Sequence, residues 1–139
     1  MARDKYHLNV RDALEKEGWT ITHDPYRIRI GRRRGYIDLG IEQEVIIGAE
    51  KNNQKVAVEI KTFGGVSDLD EFEDAVGQFI VYLTALEDED PERTLFLAIP
   101  ESFFNRFFDD PFFLKLAKKR HINLVVYNEV NNTIVQWIK

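Results

Sequence analysis

Asp38, the pair Glu59-x-Lys61 and the pair Gln78-x-x-x-Tyr82 are the residues whose types and spacing could do chemistry. In KVAVEIKTFGG, residues 55 to 65, Val56, Val58 and Ile60 alternate with Ala57, Glu59 and Lys61, the period of a strand. Glu59 and Lys61 must then project from one face. Asp38, set between Ile37 and Leu39 in YIDLG, is costly inside a strand unless it has a partner. If the two strands are neighbours, Asp38, Glu59 and Lys61 converge. Two carboxylates with nearby carbonyl oxygens form the hard-oxygen environment that Mg²⁺ or Mn²⁺ prefers. Lys61 beside such an ion could orient or activate a water, or stabilise charge growing on a phosphoryl oxygen. Two blander readings compete: Glu59 and Lys61 can share a solvated face, or Lys61 can pair with Asp38 or Glu59 simply to stitch two strands.

Gln78 and Tyr82, four residues apart in GQFIVY, fall on neighbouring turns of one helix face. By helical angle that face lies away from a stripe of Phe72, Val76, Phe79 and Leu83, so the pair is expected to flank the core and to hold substrate phosphate or the lysine. Residue pairs of this kind also arise by chance.

The elements that must position these residues follow from periodicity and punctuation. Residues 4 to 17 read as a helix with Asp4 as N-cap and Gly18 as stop. WTITHD, YRIRIG and YIDLGI read as strands. EVIIGAE and KVAVEIK flank Asn52 and Asn53, a hairpin turn. Residues 68 to 86 form the longest helix, capped by Ser67 or Asp68, with Leu69, Phe72, Val76, Phe79, Ile80 and Leu83 buried. TLFLAIP reads as an inner strand, Asp110 and Pro111 open another helix to about Arg120, and INLVVY and TIVQWI close the chain around an Asn-rich turn. The order predicts an α/β (α+β) fold, a mixed central sheet flanked by helices. The helix after VEIK must cross over the sheet, with Gly64 and Gly65 making the sharp exit.

The bulk properties leave room for an enzyme. One domain suits 139 residues, and 19 basic against 24 acidic side chains give a net charge of −5, which argues against a surface coated in DNA-binding charge but leaves a local basic site open. No cysteine is present, so thiolate metal sites and disulfides are excluded. The charged opening segment and the lack of any long apolar run predict a cytoplasmic protein without a membrane span.

Taken together, Asp38, Glu59-x-Lys61 and Gln78-x-x-x-Tyr82 resemble the PD-(D/E)XK nuclease superfamily in its Q-x-x-x-Y branch, the kind found in RecB-like and resolvase-like nucleases; Ile37 stands where that pattern has proline. The whole chain resembles the XisH family, the fdxN element excision controlling factors of cyanobacteria. KYHLNVRDALEKEGWTITHDP, YIDLG, AVEIK, GQF and VYNEVNNTIVQWIK carry that likeness from end to end. The resemblance implies a restriction-endonuclease-like fold over residues 1–139, a role in programmed (heterocyst) DNA excision, Mg²⁺ or Mn²⁺ at Asp38 and Glu59, Lys61 as catalytic lysine, Gln78 and Tyr82 as orienting groups, and an XisI-like protein as partner. Because the superfamily often adds a first-helix ligand, His7, which borders Val10 and Leu14, is the expected third ligand in preference to Glu15.

Arg32, Arg33 and Arg34, within RIRIGRRR, suit contact with DNA phosphates or form a solvated turn. The acidic cluster Asp68 to Asp74 is the ordinary complement of a helix N-terminus. SFFNRFFDDPFF holds six phenylalanines. Most should cap the sheet core, and any left exposed would form a surface for a partner or a second copy of the chain.

Overall fold

The computed structural model describes residues 2–31, 33–34, 44–61 and 63–139. Helix α1 (Ala2–Lys16) starts ahead of Asp4, which therefore lies inside the helix and not at its cap. It stops where glycine permits. Gly18, at a φ of 100°, donates to Glu15 O and Trp19 donates to Leu14 O, each at 3.0 Å, the paired bonds of a Schellman turn. Strand β1 (Thr20–His23) follows, then the short antiparallel pair β2 (Arg29–Ile30) and β3 (Arg33–Arg34). The strand expected around Asp38 falls outside the described residues. Strands β4 (Glu44–Lys51) and β5 (Gln54–Lys61) form the expected hairpin. Asn52 and Asn53 take φ of 50° and 67° at its turn, the left-handed pair of a type I′ connection.

Helix α2 (Asp68–Glu89) leads over the sheet to β6 (Arg93–Pro100), which pairs parallel to β5. Two short helices, α3 (Glu101–Phe107) and α4 (Pro111–Lys119), precede β7 (Leu124–Asn128) and β8 (Thr133–Ile138). Asp110 caps α4, accepting from Phe112 N at 3.0 Å, with Pro111 in the first turn. The main sheet has the order β1-β4-β5-β6-β7-β8, so β5 and β6 are interior.

Each face of this sheet buries its own core. Val10, Ala13 and Leu14 of α1 meet Val56, Val58 and Ile60 of β5, with Phe96, Val125 and Tyr127 beyond. On the other face Phe72, Ala75, Phe79, Tyr82 and Leu86 of α2 meet Ala57, Leu95, Leu97 and Ile99, together with aromatic residues of α3. Strands buried on both faces read as near-continuous apolar runs, which is why TLFLAIP is legible as interior.

Candidate functional site

Ala57 shares its cluster with α2, and strand parity carries Glu59 and Lys61 to the same face. Glu59 is 0 % exposed and Lys61 7 %. A solvated face is thereby ruled out for this pair. Glu59 lies between Ile46 of β4 and Leu97 of β6 in register, and Lys61 ends β5 opposite Glu44. Removing a carboxylate and an ammonium from water costs several kcal/mol per ion, on the order of magnitude seen in proteins, unless the surroundings compensate. Asp38, the other acid of the expected constellation, lies outside the described residues. Among the described residues no three His, Asp or Glu side chains gather as a metal cage.

Helix α2 covers the Glu59 face with a different phase from the one expected. Its buried residues are Phe72, Ala75, Phe79, Tyr82 and Leu86, a three-four spacing, while Leu69 (46 % exposed) and Ile80 (44 %) turn outward. Tyr82 therefore belongs to the core instead of flanking it. Gln78, one turn earlier and half-buried, presents a wholly buried Oε1 that accepts no hydrogen bond from the described residues. It is an oxygen acceptor on the helix that covers Glu59.

The segment leaving β5 is fixed from three directions. Tyr6 of α1 donates its hydroxyl to Phe63 O at 3.2 Å, and Phe63 stacks against Phe103 of α3 at 4.3 Å between centroids. From α2, Glu71 Oε1 accepts from Gly64 N at 3.2 Å and Gly65 N at 2.9 Å, and Ser67 Oγ caps the helix by accepting from Asp70 N at 3.2 Å. Gly64, at a φ of 127°, occupies backbone space that a side chain would strain. Arg106 adds a two-bond contact to Asp68, 2.7 and 3.1 Å, with its guanidinium 5.3 Å from the Phe103 ring centroid. The hydrogen bond from Arg106 holds the Asp68 carboxyl below its ordinary range. Burial pushes the Tyr6 phenol up, and Glu129 and Glu71 push it further while Arg106 opposes them. Tyr6, Glu71 and Arg106 were not among the residues expected to serve the site. Glu71 and Arg106 were signalled in the sequence only by proximity to the glycine pair and to the phenylalanine run, and Tyr6, 57 residues from Phe63, by nothing local.

His7 is not brought to Glu59. The apolar stripe of α1 seats that helix on the opposite face of the sheet, and His7 Nε2 lies 2.6 Å from Asp24 Oδ1, a carboxylate that also takes Arg11. Arg32 lies outside the described residues. Arg33 and Arg34 are backbone partners of Ile30 and Arg29 in a strand pair, where a turn of three arginines was expected. Arg27 and Arg29 are exposed, with Ile28 buried between them, in keeping with one outward strand face.

Known proteins share this architecture. Residues 1–135 match the family model described as XisH protein. A crystal structure of an fdxN element excision controlling factor protein from Anabaena variabilis superposes with a TM-score of 0.86 at 36 % identity, covering 99 % of this chain and 100 % of that one. An XisH family protein from Nostoc punctiforme PCC 73102 gives 0.85 at 36 % identity, covering 98 % and 100 %. No curated protein matches the chain. A family match over nearly the whole length, carried by a shared fold and by more than a third of the residues, establishes that this chain belongs to the XisH family.

Proposed function

We propose that this protein is a DNA-processing factor controlling the excision of a DNA element, and that it hydrolyses phosphodiester bonds at a metal-dependent site formed by Asp38, Glu59 and Lys61. The observation that carries the reading is the burial of Glu59 and Lys61, two residues apart on one face of an interior strand and at its end. A structural ion pair gains little from such a position, whereas a catalytic carboxylate and ammonium need a fixed, water-poor setting. The relative from Anabaena variabilis, described as an fdxN element excision controlling factor, supports the biological role.

The donor chemistry fits a hard divalent cation: the Glu59 carboxylate, with the buried amide oxygen of Gln78 on the helix covering it. Asp38 and Glu59 would hold Mg²⁺ or Mn²⁺, which when bound supplies Lewis-acid polarisation of a phosphoryl oxygen and a more acidic water. Lys61 donates hydrogen bonds to the anionic phosphoryl oxygens. Gln78 and Tyr82 orient these groups from α2, Tyr82 from within the core. Arg32, Arg33 and Arg34 take DNA phosphates. Phe112, the one residue of the six-phenylalanine run that is 58 % exposed, belongs to a surface for an XisI-like protein or a second copy. His7 is left to Asp24.

The same burial favours a second reading, a catalytically silent accessory that binds DNA or the XisI-like protein through this fold. Glu59 at 0 % exposure offers a bulky substrate no direct access. Divalent-cation binding separates the two. Saturating Mg²⁺ or Mn²⁺ at about 100 times Kd adds about 2.7 kcal/mol to the wild type through linkage. Thermal unfolding with and without metal should show that gain, and its loss in Asp38→Ala and Glu59→Gln. Equal metal-induced shifts in all three proteins contradict the site. Only the metal-induced change is compared, since removing a buried carboxylate shifts the metal-free midpoint by itself.

A further inference from the structure

The opposite end of β5 carries a second candidate site. An open cavity of about 700 Å³ lies beside the Asn52-Asn53 turn, a size suited to a small organic ligand. Its wall is aromatic: Trp19, Trp137 and Phe96. Trp19 and Trp137 lie 5.3 Å apart between centroids, and Phe96 meets Trp137 edge-on at 4.8 Å. Both indole N–H groups donate to one oxygen, Glu17 Oε1, at 3.0 and 2.8 Å. That carboxylate fixes the two rings. Trp137 is half-buried and has surface left to offer.

The rim is cationic and amide-rich. Lys51 is committed, donating to Glu17 O and lying 5.9 Å from the Trp19 ring centroid. Lys55 and Lys139 also line the cavity, and neither forms an ion pair among the described residues. Glu92 is the remaining acidic side chain of the lining. Asn52, Asn53 and Gln54 are exposed and bring three side-chain amides to the same rim. Each amide can donate and accept at once. An aromatic wall, ammonium groups without an ion pair among the described residues and amides with both hydrogen-bonding senses match what a nucleotide presents: a base face to stack, base edges to hydrogen-bond and a phosphate to neutralise.

We propose that this cavity binds a nucleotide unit, the base against Trp137 and its phosphate at Lys55 and Lys139. The unit comes either from a free nucleotide or from a single strand. Lys55 and Lys61 are six residues apart on one strand, roughly 20 Å, so the cavity is separate from the Glu59 face. The inference does not depend on the activity proposed for that face.

The chain has two tryptophans, and both line the cavity, so indole emission reports on this site alone. Emission excited at the red edge of the indole band is followed while thymidine 5′-monophosphate, a ten-residue oligothymidylate or poly-glutamate is titrated. The account expects saturable quenching by the first two and none by poly-glutamate. Similar affinity per site for monomer and oligomer points to a free nucleotide, and an oligomer at least 10-fold tighter points to a strand; either supports the site. Lys55→Glu with Lys139→Glu should weaken binding at least 10-fold, and the milder Lys55→Gln should lower the logarithmic salt slope for the oligomer by about 0.7. Lys118→Gln, at an exposed lysine of α4 outside the cavity, should bind as the wild type does. No quenching by either nucleotide ligand, equal quenching by poly-glutamate, or unchanged affinity in the doubly charge-reversed variant would overturn the proposal.

Discussion

Glu59 sits with no exposed surface on a strand that is itself interior, and the energetics of such a residue decide how the site should respond to substitution. Buried charges are retained at a cost in stability, so function and stability pull in opposite directions at this position. Tyr127 poses a related problem on the α1 face. Its side chain is buried in the core and its hydroxyl has no hydrogen-bond partner among the described residues. Burial, aided by Tyr6 and Glu129, pushes its phenol above the ordinary range. Tyr127→Phe removes that stranded hydroxyl and should leave stability unchanged or raise it by about 1 kcal/mol at neutral pH. The pH dependence has a definite sign. Because the folded state holds the phenol proton more tightly than the unfolded state, its contribution is complete below about pH 10 and is lost as pH rises further. The variant lacks that alkaline loss. Midpoints of wild type and Tyr127→Phe measured from neutral pH to about pH 11 should diverge above about pH 10, with the wild type falling faster; parallel curves would mean that the hydroxyl is not desolvated.

At the scale of elements, the bond that starts α2 is the simplest to test. Ser67 Oγ accepts from Asp70 N, and Ser67→Ala should cost about 1 kcal/mol in denaturant-derived stability without changing the slope of the transition. A change below about 0.3 kcal/mol would mean that the cap is replaced by solvent. Features of this local kind are the ones legible in the chain: Gly18 closing α1, the Asn52-Asn53 turn, Ser67 opening α2, and Asp110-Pro111 opening α4. Each depends on a few adjacent residues. The alternation that pairs Glu59 with Lys61 is legible for the same reason, since parity is a local property. What escaped depends on packing. Ala75 is too small to mark a helix face, so the bulkier Leu69 and Ile80 set the expected stripe and left Tyr82 outside it, whereas contact with the sheet buries Tyr82 and turns Ile80 outward. Helix α3 was missed because SFFNRF has weak helix propensity, and its stability comes from Phe103 and Phe107 packing on Phe63 and Phe72. His7 was expected beside the acids because the resemblance implies a first-helix ligand and His7 borders the apolar stripe, but which sheet face a helix covers is not encoded in its own periodicity.

For the whole molecule, a net charge of −5 limits how nucleic acid can be held, and the basic segments must do most of the holding. Replacing Arg32, Arg33 and Arg34 together by alanine should weaken duplex binding and reduce the logarithmic salt slope by about 0.9 for each phosphate that the protein no longer neutralises. An unchanged slope returns these arginines to a solvated role. The central claim is that the buried acid and lysine at the end of β5 serve phosphodiester hydrolysis, and the measurement that tests it most directly is DNA cleavage. Purified wild type, Glu59→Gln and Lys61→Met are incubated with supercoiled, linear and branched DNA in Mg²⁺, in Mn²⁺ and in chelator. The account predicts metal-dependent cleavage of at least one substrate by the wild type, abolished in chelator and reduced at least about 100-fold in either variant while both remain folded. Cleavage at equal rates in all three proteins, or none by the wild type with either metal on any substrate, would contradict it.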